Sequence, residues 1–259
     1  MASPREKVAF DDLTAEHPSM ALLEIVAYSL ASARIAAGAG ADRIELCENT
    51  AEGGTTPSLG TIEAAKALGR AKVHAMIRPR GGDFLYDADE LEVMRRDIRH
   101  ALRAGADGIV LGLLRPDATV DIEATRRLVD LAEGRPVTFH RAFDWAADPL
   151  RSLDDVAATG CNRLLTSGQA PSALAGADLI AELVRRAPAG LSILAGGGVH
   201  AGNVREIIRR TGVNEVHASL RGVQATRMLR RPPSVSLGAA PDWEADAIPV
   251  ADAAKVREV

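Results

Sequence analysis

Glutamates and histidines, the side chains best suited to moving protons near neutral pH, stand on several short apolar runs of this chain. Glu45 and His140 lie near the ends of two runs, His217 within a third and Glu24 early in a fourth. A carboxyl and an imidazole that face one space can act as general acid and base. A second group of residues reads as an anion cradle. In Met76-Ile77-Arg78-Pro79-Arg80-Gly81-Gly82-Asp83-Phe84, Arg78 and Arg80 flank a rigid proline. A guanidinium fork grips carboxylate or phosphate through paired N–H donors, and Gly81 and Gly82 let backbone N–H groups come close. Asp83 ends this loop. Gly197 and Gly198, within Ala195-Gly196-Gly197-Gly198-Val199, supply a second glycine cluster, while Ser167 and Ser219 add hydroxyl donors.

These groups can share a site only if the fold brings the ends of the runs together, and the patterning predicts that it does. Apolar runs at 22–28, 43–47, 72–79, 108–114, 136–143, 163–168, 191–198 and 215–220 alternate with helix-like segments. Eight strands separated by helices predict an α/β protein of the TIM (β/α)₈ barrel type, with its chemistry at the carboxyl ends of the strands. Helices are expected at 30–38, 58–69, 87–105, 121–133, 149–160, 172–187 and 202–212. Ser58 to Gly69 and Asp87 to Gly105 each open on an N-cap residue and close on glycine. Leu91, Met94, Ile98 and Leu102 follow the three-four spacing of a helix face.

Alternation along strands sorts the candidates by face. Arg43, Glu45 and Cys47 fall opposite Ile44 and Leu46; His74, Met76 and Arg78 fall opposite Val73, Ala75 and Ile77. Outer faces pack on helices, so the polar sets are expected in the lumen. Glu24 and His74 come early in their strands, where paired charges can equally be structural.

Residues 1–20 read as an N-terminal arm and 21–259 as one barrel domain, with an extended loop at 221–250 before a last helix at 251–259. A net charge of −4 and the lack of a basic, aromatic patch argue against nucleic-acid binding. Neither a membrane span nor a secretory leader is legible, and two cysteines, Cys47 and Cys161, are too few for a disulfide framework. A cytoplasmic protein with no membrane partner is expected.

RIELC (43–47), EGGTTPS (52–58), MIRPRGGDF (76–84), TFHRAFD (138–144), LLTSG (164–168), GGGV (196–199) and EVHAS (215–219) together resemble the CutC family, named for copper homeostasis. The resemblance runs from Leu22 to Arg221 and implies a cytoplasmic TIM barrel, a homodimer, and a role in copper tolerance or copper binding. Cu(I) favours thiolate and thioether ligands. The family's first-strand motif resembles LEVCVDS, whereas this chain has Leu23-Glu24-Ile25-Val26-Ala27-Tyr28-Ser29, so Val26 stands where that cysteine would be. Cys47 matches the family's second cysteine, and Met76 on the adjacent strand is its expected soft neighbour. Cys161 precedes the sixth strand, at the opposite end of the barrel. Two functions are therefore expected: Cu(I) binding through Cys47 and Met76, or acid–base catalysis by Glu45 and His140 on a small phosphate- or carboxylate-bearing metabolite.

Overall fold

In the computed structural model, which describes residues 21–229 and 247–259, eight parallel strands close into a ring. They are β1 (Leu22–Ala27), β2 (Arg43–Leu46), β3 (Lys72–Met76), β4 (Gly108–Leu111), β5 (Val137–Phe139), β6 (Arg163–Thr166), β7 (Ser192–Gly196) and β8 (Glu215–Ala218). Closure comes from β8 pairing with β1, with Glu215 opposite Leu22 and His217 opposite Glu24. The helices α1 (Leu30–Ala39), α2 (Leu59–Lys66), α3 (Ala88–Arg103), α4 (Ile122–Asp130), α5 (Pro149–Thr159), α6 (Ala177–Arg186) and α7 (Val204–Thr211) fill the connections. The expected TIM barrel is the fold, and every expected strand and helix among the described residues is present.

Local chemistry explains the boundaries. Asp87 caps α3 by accepting from Glu90 N while the Glu90 carboxylate accepts from Asp87 N, a reciprocal capping box. Ser58 caps α2 by accepting from Thr61 N, and Asp148 caps α5 ahead of Pro149. On α3, Met94 and Ile98 are fully buried against the barrel wall, each worth about 2 kcal/mol of burial. Leu91 and Leu102 pack at the margin of the same core.

The segment after β8 departs from the expected extended loop at both of its ends. β9 (Arg221–Ala225) pairs antiparallel with β10 (Ala247–Ala251) in a two-stranded ribbon, and α8 (Ala253–Glu258) follows. Pairing satisfies backbone groups that a free loop would leave to water. The ribbon is anchored where Ala251 N donates to Ser32 Oγ on α1 and Lys255 Nζ donates to the Arg221 carbonyl. The rest of the expected loop, 230–246, and the expected arm, 1–20, lie outside the described residues. Among the described residues no helix is long and apolar enough to cross a membrane.

Candidate functional site

Strand register puts one residue in two into the lumen, and an unusual share of these are charged. Glu24 pairs in register with Arg43 and His217, Val26 with Glu45, and Glu45 with His74. In the lower lumen Arg43 lies between two carboxylates. Its Nε donates to Glu24 and its Nη2 donates to Glu215 Oε2 at 2.6 Å. Arg163 Nε also donates to Glu215 Oε2, at 2.5 Å, and its Nη1 reaches Thr138 Oγ1 at 3.4 Å. Burial alone would raise the pKa of Glu24, but the hydrogen bond from His217 and the charge of Arg43 hold its carboxyl well below the usual range. This ladder, Arg163–Glu215–Arg43–Glu24, balances its charges and reads as structure.

Above the ladder the arrangement changes character. His217 Nδ1 lies 2.8 Å from Glu24 Oε1, and His217 Nε2 lies 3.9 Å from Glu45 Oε2. With an ionised Glu24 as acceptor, Nδ1 must carry the proton, so Nε2 is the nitrogen turned to Glu45. Burial raises Glu45 to about 7, with the Glu24 charge adding to the rise and His217 opposing it. Burial pushes His217 down, yet the flanking carboxylates Glu45 and Glu24 more than offset it, so its pKa is raised. Glu45 Oε1 is buried and makes no hydrogen bond.

Glu45 and His217 both line a cavity of about 530 Å³ at the carboxyl ends of the strands. Met76, Arg78, Gly82, His140, Gly197, Gly198 and Ser219 line it too, so most of the residues selected from sequence do meet. His140 lines the cavity in a different electrostatic setting from His217. Burial, with the Arg78 charge, lowers its pKa to about 3, so it is neutral at physiological pH. Its Nδ1 accepts from Ala142 N at 3.2 Å, which leaves the proton on Nε2, and Nε2 has no partner. His140 is thus a neutral donor, and the imidazole that faces Glu45 is His217.

The arginine loop also works differently from a simple fork. Arg78 donates to the carbonyls of Glu52 at 2.6 Å, Gly54 at 2.9 Å and Gly82 at 2.8 Å, stitching the β2 and β3 loops together. It lies 5.1 Å over the Phe84 ring, and only its Nε lacks a partner. Arg80 is not among the cavity residues: it pairs with Glu90 at 2.5 Å and Asp83 at 2.9 Å on the outer side of the loop. Asp83 and Gly81 likewise lie off the cavity, and a Cβ on Gly81 would meet the Glu52 side chain. Ser167 Oγ is occupied by Asp144 Oδ2 at 3.0 Å and the Ala170 carbonyl at 2.7 Å.

Cys47 is fully buried behind the cavity wall in one cluster with Val26, Met76 and Val110. Burial and the neighbouring Glu45 carboxylate push its thiol well above the ordinary value; its Sγ lies 3.8 Å from Glu45 Oε2. Cys161 is buried elsewhere, in the main core.

Sequence reasoning missed Arg163, Glu215 and Asp144. Parity could have found the first two, because Glu215 shares a face with His217 and Arg163 faces Thr138 in register. Asp144 lies past the end of β5, in a 3₁₀ turn (Arg141–Trp145), where alternation no longer applies. It accepts from Thr166 Oγ1, Ser167 N and Gln169 N, fixing the β6 loop beside the cavity.

A closed eight-stranded barrel with titratable groups around a cavity at the carboxyl ends of its strands defines a (β/α)₈ protein. More narrowly, the chain belongs to the CutC family, whose model matches residues 21–222. A CutC family protein of Chromobacterium violaceum is 49% identical over 218 residues, covering 84% of this chain and 88% of that one. One from Porphyromonas gingivalis is 45% identical over 216 residues, covering 83% and 87%. The crystal structure of a candidate copper homeostasis protein CutC from Streptococcus agalactiae superposes with a TM-score of 0.73 at 38% identity, covering 76% of this chain and 98% of that one.

Proposed function

We propose that this protein serves copper homeostasis, the role in the name of its Streptococcus agalactiae relative, with Cu(I) as a cargo taken by Cys47 and Met76. The observation that carries this reading is the placement of the two sulfur side chains in one buried cluster, with Met76 in the wall of the mouth cavity. One thiolate and one thioether fit a low-coordinate soft ion. They do not make a closed multi-thiolate store, because Val26 occupies the neighbouring strand position opposite Glu45. The Cys47 thiol must lose its proton to bind, and Glu45 Oε2 is the carboxylate placed to accept it. Titration of the reduced protein with Cu(I) against a competing chelator tests the reading. One equivalent lost in Cys47→Ser supports it; stoichiometric binding that survives Cys47→Ser removes it. The same family reading carries a cytoplasmic homodimer, which light scattering on the purified protein checks.

A second reading rests on Glu45. A buried carboxyl that titrates near 7, with one oxygen unpartnered on a ligand-sized cavity and a histidine oriented beside it, is equipped for general acid–base catalysis. Arg78, the neutral His140 and the Gly197–Gly198 backbone would receive a small phosphate- or carboxylate-bearing metabolite. Thermal-shift screening with phosphosugars and small carboxylates tests this; stabilising hits that disappear in Glu45→Gln support it, and an empty screen counts against it.

A further inference from the structure

We infer that the mouth of the barrel holds a second kind of metal site, one for a divalent cation of borderline hardness such as Zn²⁺ or Co²⁺, ligated by His217 Nε2 and Glu45. Ligand atoms of Glu24, Glu45 and His217 lie within 4.8 Å of one another. Proximity of carboxylates alone would not make a site, and three further features of the structure do.

The first is the orientation of the imidazole. His217 gives its Nδ1–H to Glu24 across 2.8 Å, which fixes the ring and turns Nε2, the nitrogen a metal would take in place of a proton, toward Glu45 Oε2, 3.9 Å away. A carboxylate that holds the far nitrogen of a histidine is the usual outer support of a metal-bound imidazole. Glu24 therefore orients and does not ligate, and Arg43 holds Glu24 in turn. The second is Glu45 Oε1. Glu45 is 96% buried by its 4% exposure, it lines the cavity, and this oxygen has no protein partner. A cation bound there satisfies it. The third is access: His217 and Glu45 both face the cavity, which has room for water or a small ligand to complete the coordination of an ion held by these two side chains.

Imidazole and carboxylate donors suit Zn²⁺, Co²⁺ and related ions, whereas Cu(I) prefers the sulfur pair. The two sites are distinct in donors but adjacent, since Glu45 Oε2 lies 3.8 Å from Cys47 Sγ. Strict alternation hides such a centre from motif searches, because its donors come from β2 and β8 with no local spacing.

Titration of the chelator-treated full-length protein with Co²⁺ tests the assignment in the unmodified chain. The expected result is one equivalent bound with visible d–d bands and no thiolate-to-metal charge-transfer band. Cys47→Ser should leave those bands unchanged. His217→Ala should weaken binding at least tenfold, and Glu45→Gln should do the same. Glu24→Gln, which leaves both ligands in place, should weaken it by about ten- to a hundredfold. No binding, a charge-transfer band that vanishes in Cys47→Ser, or an unchanged affinity in a folded His217→Ala would each overturn the assignment. Failure of the Cu(I) titration with success of this one would separate the two sites.

Discussion

Replacing Glu45 with glutamine should change how stability depends on pH, in a direction fixed by the burial of this carboxyl. Its pKa is about 7 in the folded protein against an ordinary 4.5. The native state therefore binds a proton across this interval that the unfolded chain has already released. The stabilisation from this group is full below about 4.5 and is lost as pH rises through about 7. A difference of about 2.5 pKa units corresponds to about 3 kcal/mol. Glutamine carries no such dependence. Urea unfolding with a chelator present, from acid to mildly alkaline pH, should show the stability of Glu45→Gln minus that of the parent rising with pH. The slope should approach about 1.4 kcal/mol per pH unit before the difference levels off.

His217 reinforces this trend. Without the Glu45 charge its pKa falls, and the variant's native state then holds fewer protons just above neutrality. Any packing change at residue 45 adds a constant offset, which the slope ignores. A difference that stays flat across the interval, or falls as pH rises, would refute the reasoning. A falling difference would mean that His217 holds Glu45 ionised, contrary to the dominance of burial.

Arg43→Leu should cost about 3–5 kcal/mol in equilibrium unfolding, because it leaves buried Glu24 with His217 alone and Glu215 with Arg163 alone, breaking the link between them. Gly176→Ala should destabilise by about 2 kcal/mol or more, since its Cβ would stand 2.1 Å from the Ser167 carbonyl oxygen, a backbone atom that cannot swing away. Arg78→Ala should lower hydrogen-exchange protection of the amides in the β2 and β3 loops, which lose the three side-chain links that tie them together. Arg80→Ala should leave protection in the β2 loop intact and cost about 1 kcal/mol or less in thermal unfolding, as its ion pairs are half-exposed and its carbonyl contacts stay within the β3 loop.

The fold was legible because each αβ unit repeats the same local instructions: a cap such as Ser58 or Asp87, an apolar helix face, a glycine stop and a buried strand. Strand parity was equally readable, and it placed Glu24, Glu45, His74 and His217 in the lumen correctly. Parity fails once the chain leaves the strand. Arg80 follows Arg78 by two residues, yet the Pro79 turn sends one guanidinium to loop carbonyls at the cavity and the other to Glu90 on α3. Roles depend on partners that sequence spacing cannot name. The tautomer of His140 is set by Ala142 N at its Nδ1, and His217 gained its importance only from Glu24, 193 residues away.

Among the described residues six buried side-chain atoms lack a hydrogen-bond partner: three belong to the mouth cavity, while His74 Nδ1, Tyr86 Oη and Thr125 Oγ1 lie outside its lining. In the lower lumen every arginine and carboxylate of the ladder has a charged partner, so replacing one member affects the whole stack. At the mouth the balance is left incomplete. Glu45 Oε1, His140 Nε2 and Arg78 Nε are buried without hydrogen-bond partners, and all three belong to residues lining one cavity. Each such group costs about 1–3 kcal/mol relative to a satisfied one. The three also differ in kind: an acceptor, a neutral donor and a cationic donor. Apolar packing could have removed this cost, as Val26 and Leu165 do elsewhere on the same wall. An unpartnered acceptor at Glu45 is what the proposed cation site needs, and unpartnered donors at His140 and Arg78 are what the small-anion reading needs, so one cavity wall carries the physical basis of both proposals.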